Sequence, residues 1–141
     1  MVFVFDENIP GKIVDTLSAL YKDCGNAHEL HSVYTLGLQG AKDVELMPAI
    51  RARFPNEQCV FISGDARILR RALEIESVKQ AEFIGFICSP KSCQKSFLER
   101  ALYIMNLWPA IIRIAEKSVP KTIYKMPAIS FVPTEKEFKK L

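Results

Sequence analysis

Apolar and polar positions in this chain follow two rhythms. Short unbroken runs, Val2-Phe3-Val4-Phe5 and Cys59-Val60-Phe61-Ile62-Ser63, have the length and continuity of strands buried on both faces of a parallel sheet. Longer stretches instead repeat apolar residues at helical spacing. Ile13, Val14, Leu17, Leu20 and Tyr21 do so after Pro10, which suits a first helical turn because its missing N–H is not needed there. Gly25-Asn26 breaks that pattern, and His31-Ser32-Val33-Tyr34 predicts a second strand. Gly37 and Gly40 bracket a loop. A helix follows from Asp43, with Val44, Met47, Ile50, Ala52 and Phe54 partly on one face, until Pro55-Asn56 ends it.

Past the strand at 59–63, Ile68, Leu69, Ala72, Leu73 and Ile75 mark another helix. Residues 82–88 predict a fourth strand, weakened by Gly85. Ser92 or Ser96 is placed to cap a long helix running through Phe97, Leu98, Ala101, Leu102, Ile104, Met105 and Leu107. Trp108-Pro109 is expected to kink or restart it before Ile111, Ile112 and Ile114. Strands alternating with helices in this way predict a three-layer α/β/α domain around a mostly parallel sheet. Residues 119–141 differ, because Pro120, Pro127 and Pro133 interrupt their apolar stretches. We therefore expect a domain over 1–118 and an extended arm or edge strand over 119–141.

Composition narrows the class. The chain has 141 residues, 49% apolar and 25% charged, which suits one globular domain with a sizeable core. No run approaches the roughly 18 apolar residues of a membrane span. The start lacks the basic flank and cleavage site of a signal peptide, so no membrane partner and a cytoplasmic location are expected. Cys24, Cys59, Cys88 and Cys93 form no CxxC pair, which points to reduced thiols rather than a zinc site. His28 and His31 are expected to be loop and strand residues. Net charge is +3, but residues 1–65 carry five Lys/Arg against nine Asp/Glu while residues 66–141 carry fourteen against seven. An acidic half for cations beside a basic half for phosphates suits a nucleic-acid enzyme. A solvated basic surface gives the same count.

Three acids stand out. Asp6 follows the first strand, Asp65 follows the strand at 59–63, and Asp43 opens the helix between them. Ligands in open α/β sheets bind at the carboxyl ends of strands, so Asp6 and Asp65 would meet if their strands were neighbours. Clustered carboxylates repel unless a proton or a divalent cation neutralises them, and oxygen donors favour Mg²⁺ or Mn²⁺. Each acid also suits a helix cap, since Asp and Asn side chains bond local N–H groups. The residues alone leave both readings open.

The chain resembles the PIN-like nuclease superfamily, in its compact branch with a strand-Asp-Glu-Asn-hydrophobe-Pro opening, whose best-known relatives are VapC-type toxin ribonucleases. The matching pieces are Phe5-Asp6-Glu7-Asn8-Ile9-Pro10, Leu36-Gly37-Leu38-Gln39-Gly40-Ala41-Lys42-Asp43-Val44-Glu45 and Val60-Phe61-Ile62-Ser63-Gly64-Asp65. The resemblance spans roughly residues 1–90. It implies an acidic pocket with one or two Mg²⁺ or Mn²⁺ ions held by Asp6, Asp43 and Asp65, Asn8 positioning the first carboxylate or a water, and Glu45 as a fourth acid. It further implies an RNA substrate and an antitoxin protein. The C-terminal arm, or the helix around Trp108, is a candidate interface, with a homodimer as one outcome; the same apolar surface could close the monomer's own core.

One position departs from the pattern. Many relatives carry a second Asp two residues past the third acid, where this chain has Arg67. Two-metal sites need carboxylates on both sides of an ion pair about 3.5–4 Å apart, so a single ion becomes as reasonable as two. Arg67 is either a phosphate grip through its planar fork or a surface residue paired with an acid such as Glu74. Arg70, Arg71, Lys91 and Lys95 are further candidates for holding a nucleic-acid backbone. The chemistry implied is phosphodiester hydrolysis. Its rivals are a non-cleaving interaction domain, favoured by Arg67, and a phosphate-accepting receiver, in which Asp43 would have no role.

Overall fold

The two unbroken apolar runs become adjacent central strands. In the computed structural model, which describes residues 1–22, 28–93 and 96–129 apart from the side chains of Asp43 and Cys93, β1 (Val2–Phe5) lies between β2 (Glu29–Ser32) and β3 (Cys59–Ser63). Strands β4 (Ile84–Ile87) and β5 (Ile123–Lys125) extend the sheet to the order β2-β1-β3-β4-β5, and every neighbouring pair is parallel. Parallel strands need both faces covered. Phe3 and Phe5 point toward α1 (Gly11–Lys22) and α5 (Phe97–Lys117), while Val2 and Val4 point toward α2 (Asp43–Arg53) and α3 (Ala72–Gln80). The result is the three-layer α/β/α domain. No helix among the described residues is long and apolar enough to cross a membrane.

Several local expectations shift for identifiable reasons. The second strand ends at Ser32 rather than Tyr34. There Thr35 N–H donates to Ser32 Oγ and Ser32 N–H to Thr35 Oγ1, both at 3.1 Å, and this reciprocal turn takes the chain out of the ladder. The helix expected over 68–75 is split into a 3₁₀ turn at Ala66–Arg70 and then α3. A 3₁₀ turn has three residues per turn rather than 3.6, so the apolar phase resets. Leu73, expected inside, is 76% exposed, while Glu74 takes the more sheltered position. Along α2, Met47 and Ile50 are buried as expected and Leu46 joins them, whereas Val44 and Ala52 face solvent.

Helix α5 runs unbroken through Pro109, where a kink or restart was expected. The proline ring sits on the exposed side, and its roughly 3 kcal/mol interior penalty is outweighed by the stripe on the other side. That stripe, Tyr103, Ile104, Leu107, Trp108, Ile111, Ile112 and Ala115, is buried against the sheet. Fully burying one such side chain is worth about 1.5–3 kcal/mol. Trp108 fills the centre, edge-on to Phe3 with centroids 4.9 Å apart. Ser96 caps the helix through a capping box with Glu99, which decides between the two serines considered.

Past residue 118 the chain supplies β5, and Tyr103 Oη donates to the carbonyl of Pro127 at 2.9 Å. Burial pushes the Tyr103 phenol up to about 12, so it stays protonated and can donate. Gly85 leaves the space that β5 needs, since a Cβ there would stand 3.2 Å from Ile123 Cγ1 and 3.4 Å from Val78 Cγ1. Cys59 and Cys88 are buried, whereas Cys24 lies outside the described residues. Replacing Gly85 with Val should overpack this seam and cost about 1–3 kcal/mol, read as a lower urea midpoint. An unchanged midpoint would show that β5 does not press on β4.

Candidate functional site

Strand order reverses direction at β1, which has β2 on one side and β3 on the other. Such switch points open a crevice at the strands' carboxyl ends, and here the crevice carries acids. The ladder extends one residue past β1, where Asp6 N–H donates to Ile62 carbonyl at 2.9 Å. This sets Asp6 beside Ser63. Ser63 Oγ donates to Asp6 Oδ2 at 2.7 Å and accepts from Asp65 N–H at 3.0 Å. One hydroxyl therefore joins the turn after β1 to the turn after β3. Gly64 permits the two turns to touch: a Cβ there would lie 3.2 Å from Asn8 carbonyl oxygen and 3.3 Å from Ile9 Cγ1.

The two carboxylates have opposite surroundings. Asp6 is 8% exposed and accepts from Glu7 N–H at 2.8 Å, from Asn8 Nδ2 at 3.0 Å and from Ser63. All three donors are neutral. Burial pushes the Asp6 carboxyl above its usual value, against the pull of the hydrogen bonds from Asn8, Ser63 and Glu7. Asp65, by contrast, is gripped by Arg67. Arg67 Nε lies 2.9 and 3.0 Å from the two oxygens, Nη2 lies 2.8 Å from Oδ2, and Arg67 N–H donates to Oδ1 at 2.9 Å. The hydrogen bond from that guanidinium, chief among the causes, holds Asp65 below the ordinary carboxylate range. Asp65 thus does cap the 3₁₀ turn, as one of its two sequence readings had it, and Arg67 pairs with Asp65 rather than Glu74. The partner of Glu74 is Arg71.

Asp43 is brought to the same end of the sheet by its backbone. Gly37 and Gly40 hold left-handed φ values of +66° and +74°, which non-glycine residues adopt with strain. Gly40 N–H donates to Glu7 Oε2 at 3.1 Å, and Tyr34 Oη donates to Glu7 carbonyl at 3.3 Å. The loop is thereby tied to the Asp6 turn just before α2 begins at Asp43. The N-cap position itself falls on Lys42; the Asp43 side chain lies outside the described residues. Glu45 is exposed on the first turn of α2.

Two residues of the site escaped the sequence reading. Glu74 lines a small cavity with Asp6, walled by Met47, Phe61 and Ile68. Arg100, in the first turn of α5, donates from Nη1 to Asn8 carbonyl at 3.2 Å. An acid between Leu73 and Ile75 was a usable signal for Glu74, but only once the helix phase was known. No local pattern flagged Arg100, which arrives from 92 residues away.

The described donors are of the oxygen type that hard cations take. They are carboxylate, hydroxyl and amide groups, and the most buried carboxylate, Asp6, has only neutral partners to offset its charge. Among the described residues, no group of three or more His, Cys, Asp or Glu could hold a metal ion, so the third ligand expected at Asp43 rests on a side chain outside that set.

These features define an α/β domain with an acidic crevice at its switch point. A family model described as PIN like domain matches residues 1–90, and the chain belongs to that family. No curated protein and no solved structure matches the chain.

The pH dependence of stability should report the contrast between the acids. With its folded-state value raised above 3.8, Asp6 contributes most when protonated, at low pH, and its contribution is lost as pH rises through the folded value. Asp65 has the opposite sign: its contribution is present above 3.8 and is lost as pH falls through its lowered value. In chelator, the stability difference between Asp6→Asn and wild type should therefore move in favour of the variant between pH 3 and 7. A flat difference in urea midpoint across that range would contradict the desolvated carboxylate.

Proposed function

We propose that this chain is a metal-dependent ribonuclease that hydrolyses phosphodiester bonds, acting as the toxin of a toxin–antitoxin pair in the cytoplasm. The observation that carries the reading is the buried Asp6 carboxylate at the β1/β3 switch point, with neutral partners only and a hydroxyl link to Asp65, in a chain of the PIN-like family. The arrangement calls for a cation. When bound, Mg²⁺ or Mn²⁺ would neutralise phosphate charge and acidify water.

The chain's own residues divide the work. Asp6, Asp43 and Asp65 are the ligands assigned to the ion, and Asn8 fixes the Asp6 carboxylate by its hydrogen bond. Ser63 keeps Asp6 and the Asp65 backbone in register. Arg67 already supplies one positive charge to the cup, which favours a single ion over two. Arg67, Arg70, Lys91 and Arg100 follow the carboxyl ends of β3 and β4, so basic residues flank the acids at one end of the sheet. That suits a polyanionic strand, and RNA is preferred on the family's account. An antitoxin protein and a second copy of the chain are the partners this reading carries.

Pure protein with Mn²⁺ should cleave labelled single-stranded RNA, and chelator should abolish the activity. Asp6→Asn and Asp65→Asn should each lower the rate about 100-fold or more. Cleavage that survives both substitutions would refute the assigned site.

One observation favours a second reading, a non-cleaving interaction domain. Arg67 donates to both oxygens of Asp65, which leaves that carboxylate poorly placed as a ligand. In that case wild-type protein should be inert, and Arg67→Asp, which restores the acid seen in many relatives, should tighten Mn²⁺ binding in calorimetry.

A further inference from the structure

Two of the cations considered for holding a nucleic-acid backbone are committed to acids within the fold. Arg67 grips Asp65, and Arg71 pairs with Glu74. Arg70 and Lys91 are exposed, and an exposed cation is satisfied by water. Lys95 lies outside the described residues.

Arg100 is placed differently. It is only partly exposed, and its Nη1 is anchored on the carbonyl of Asn8, whose side chain holds Asp6. Its Nε is buried with no hydrogen-bond partner. Among the described residues, no carboxylate forms an ion pair with it. The small recess beside it is mainly apolar, lined by Ile9, Ile13 and Ile104, with Asn8 and Ser92 among its few polar neighbours, so the donors open to an anion are those of the guanidinium that face outward. Ser92 is itself buried and shares a 2.9 Å hydrogen bond with Ser89.

Withdrawing a positive charge and an N–H from water with no counter-charge is unfavourable. An arriving anion would reverse that. The guanidinium is planar, so the bond to Asn8 fixes the direction of its remaining donors. The carbonyl it holds belongs to the turn that carries Asp6, and that turn packs on Gly64, one residue before Asp65. An anion held here therefore lies at the rim of the acidic cup.

We propose that Arg100 binds a backbone phosphate of the RNA at that rim, through a partly buried guanidinium anchored on Asn8 and, among the described residues, lacking a carboxylate partner. The phosphate meets the guanidinium from the solvent side, where its charge offsets the unpaired positive charge. The inference rests on the nuclease reading and adds to it the residue that seats the strand. Arg67 is left to its role beside Asp65.

The test is binding without cleavage: fluorescence anisotropy of a labelled oligouridylate in chelator, over a range of salt concentrations. Arg100→Gln should weaken binding about tenfold and flatten the slope of log affinity against log salt by about 0.7, the single-strand value per phosphate contact. Arg100→Lys should keep the wild-type slope with intermediate affinity, because it keeps the charge and loses the fork. Thermal melts run beside both variants. Wild-type affinity and slope in Arg100→Gln overturn the proposal. Should Arg100→Gln not fold, Arg100→Lys decides, with intermediate affinity supporting the proposal and wild-type affinity overturning it. The nuclease reading fails separately, if wild type does not cleave while Arg100 still governs binding.

Discussion

The hydroxyl of Ser63 is the hinge on which the site depends. It donates to Asp6 and accepts from the backbone of Asp65, and it can do both only because β1 and β3 are neighbours in register, with Phe5 opposite Ile62. That register is enforced by burial. A one-residue slip would turn Phe3 and Phe5 into the layer that holds Val2 and Val4 and empty the layer that packs around Trp108. The core on both faces of β1 thus fixes the position of two carboxylates at its end. The energetic cost of a buried Asp6 is carried by the packing of the whole sheet.

The two acids then divide by their compensation. Asp65 has its counter-charge from within the chain, while the described partners of Asp6 are neutral hydrogen-bond donors. A cup in which one carboxylate is neutralised internally has less negative charge to offer an ion than one lined by free acids alone. Arg67 therefore sets a positive charge directly on Asp65. Glu74 lines the same small cavity as Asp6 and carries its own counter-charge in Arg71.

Much of the fold was legible because the two central strands are apolar throughout, and unbroken apolar runs have few alternatives. The acids at their ends were legible for the same reason, since a polar residue closing such a run marks the carboxyl edge. What the sequence hid depends on phase and on distance. Ala66–Arg70 winds with a different period from the helix after it, so Leu73 looked internal and Glu74 external until the turn between them was seen. The end of β2 was obscured by Val33 and Tyr34, which continue the apolar pattern although Ser32 and Thr35 have already turned the chain. Pro109 looked like a break because its local cost is plain, whereas the burial that outweighs it involves residues on both sides. Arg100 could not be found locally, since nothing near it in sequence resembles the turn it touches.

The final strand carries an implication for autonomy. The family match ends at residue 90, yet Trp108 on α5 sits between Phe3 and Phe5, and Ile123 lies against Gly85. A fragment cut at the match boundary would expose a bare parallel edge and one uncovered apolar face, both templates for aggregation. The smallest piece of this protein able to stand alone is therefore larger than its recognisable motif, because α5 and β5 complete the layers that the motif alone leaves open.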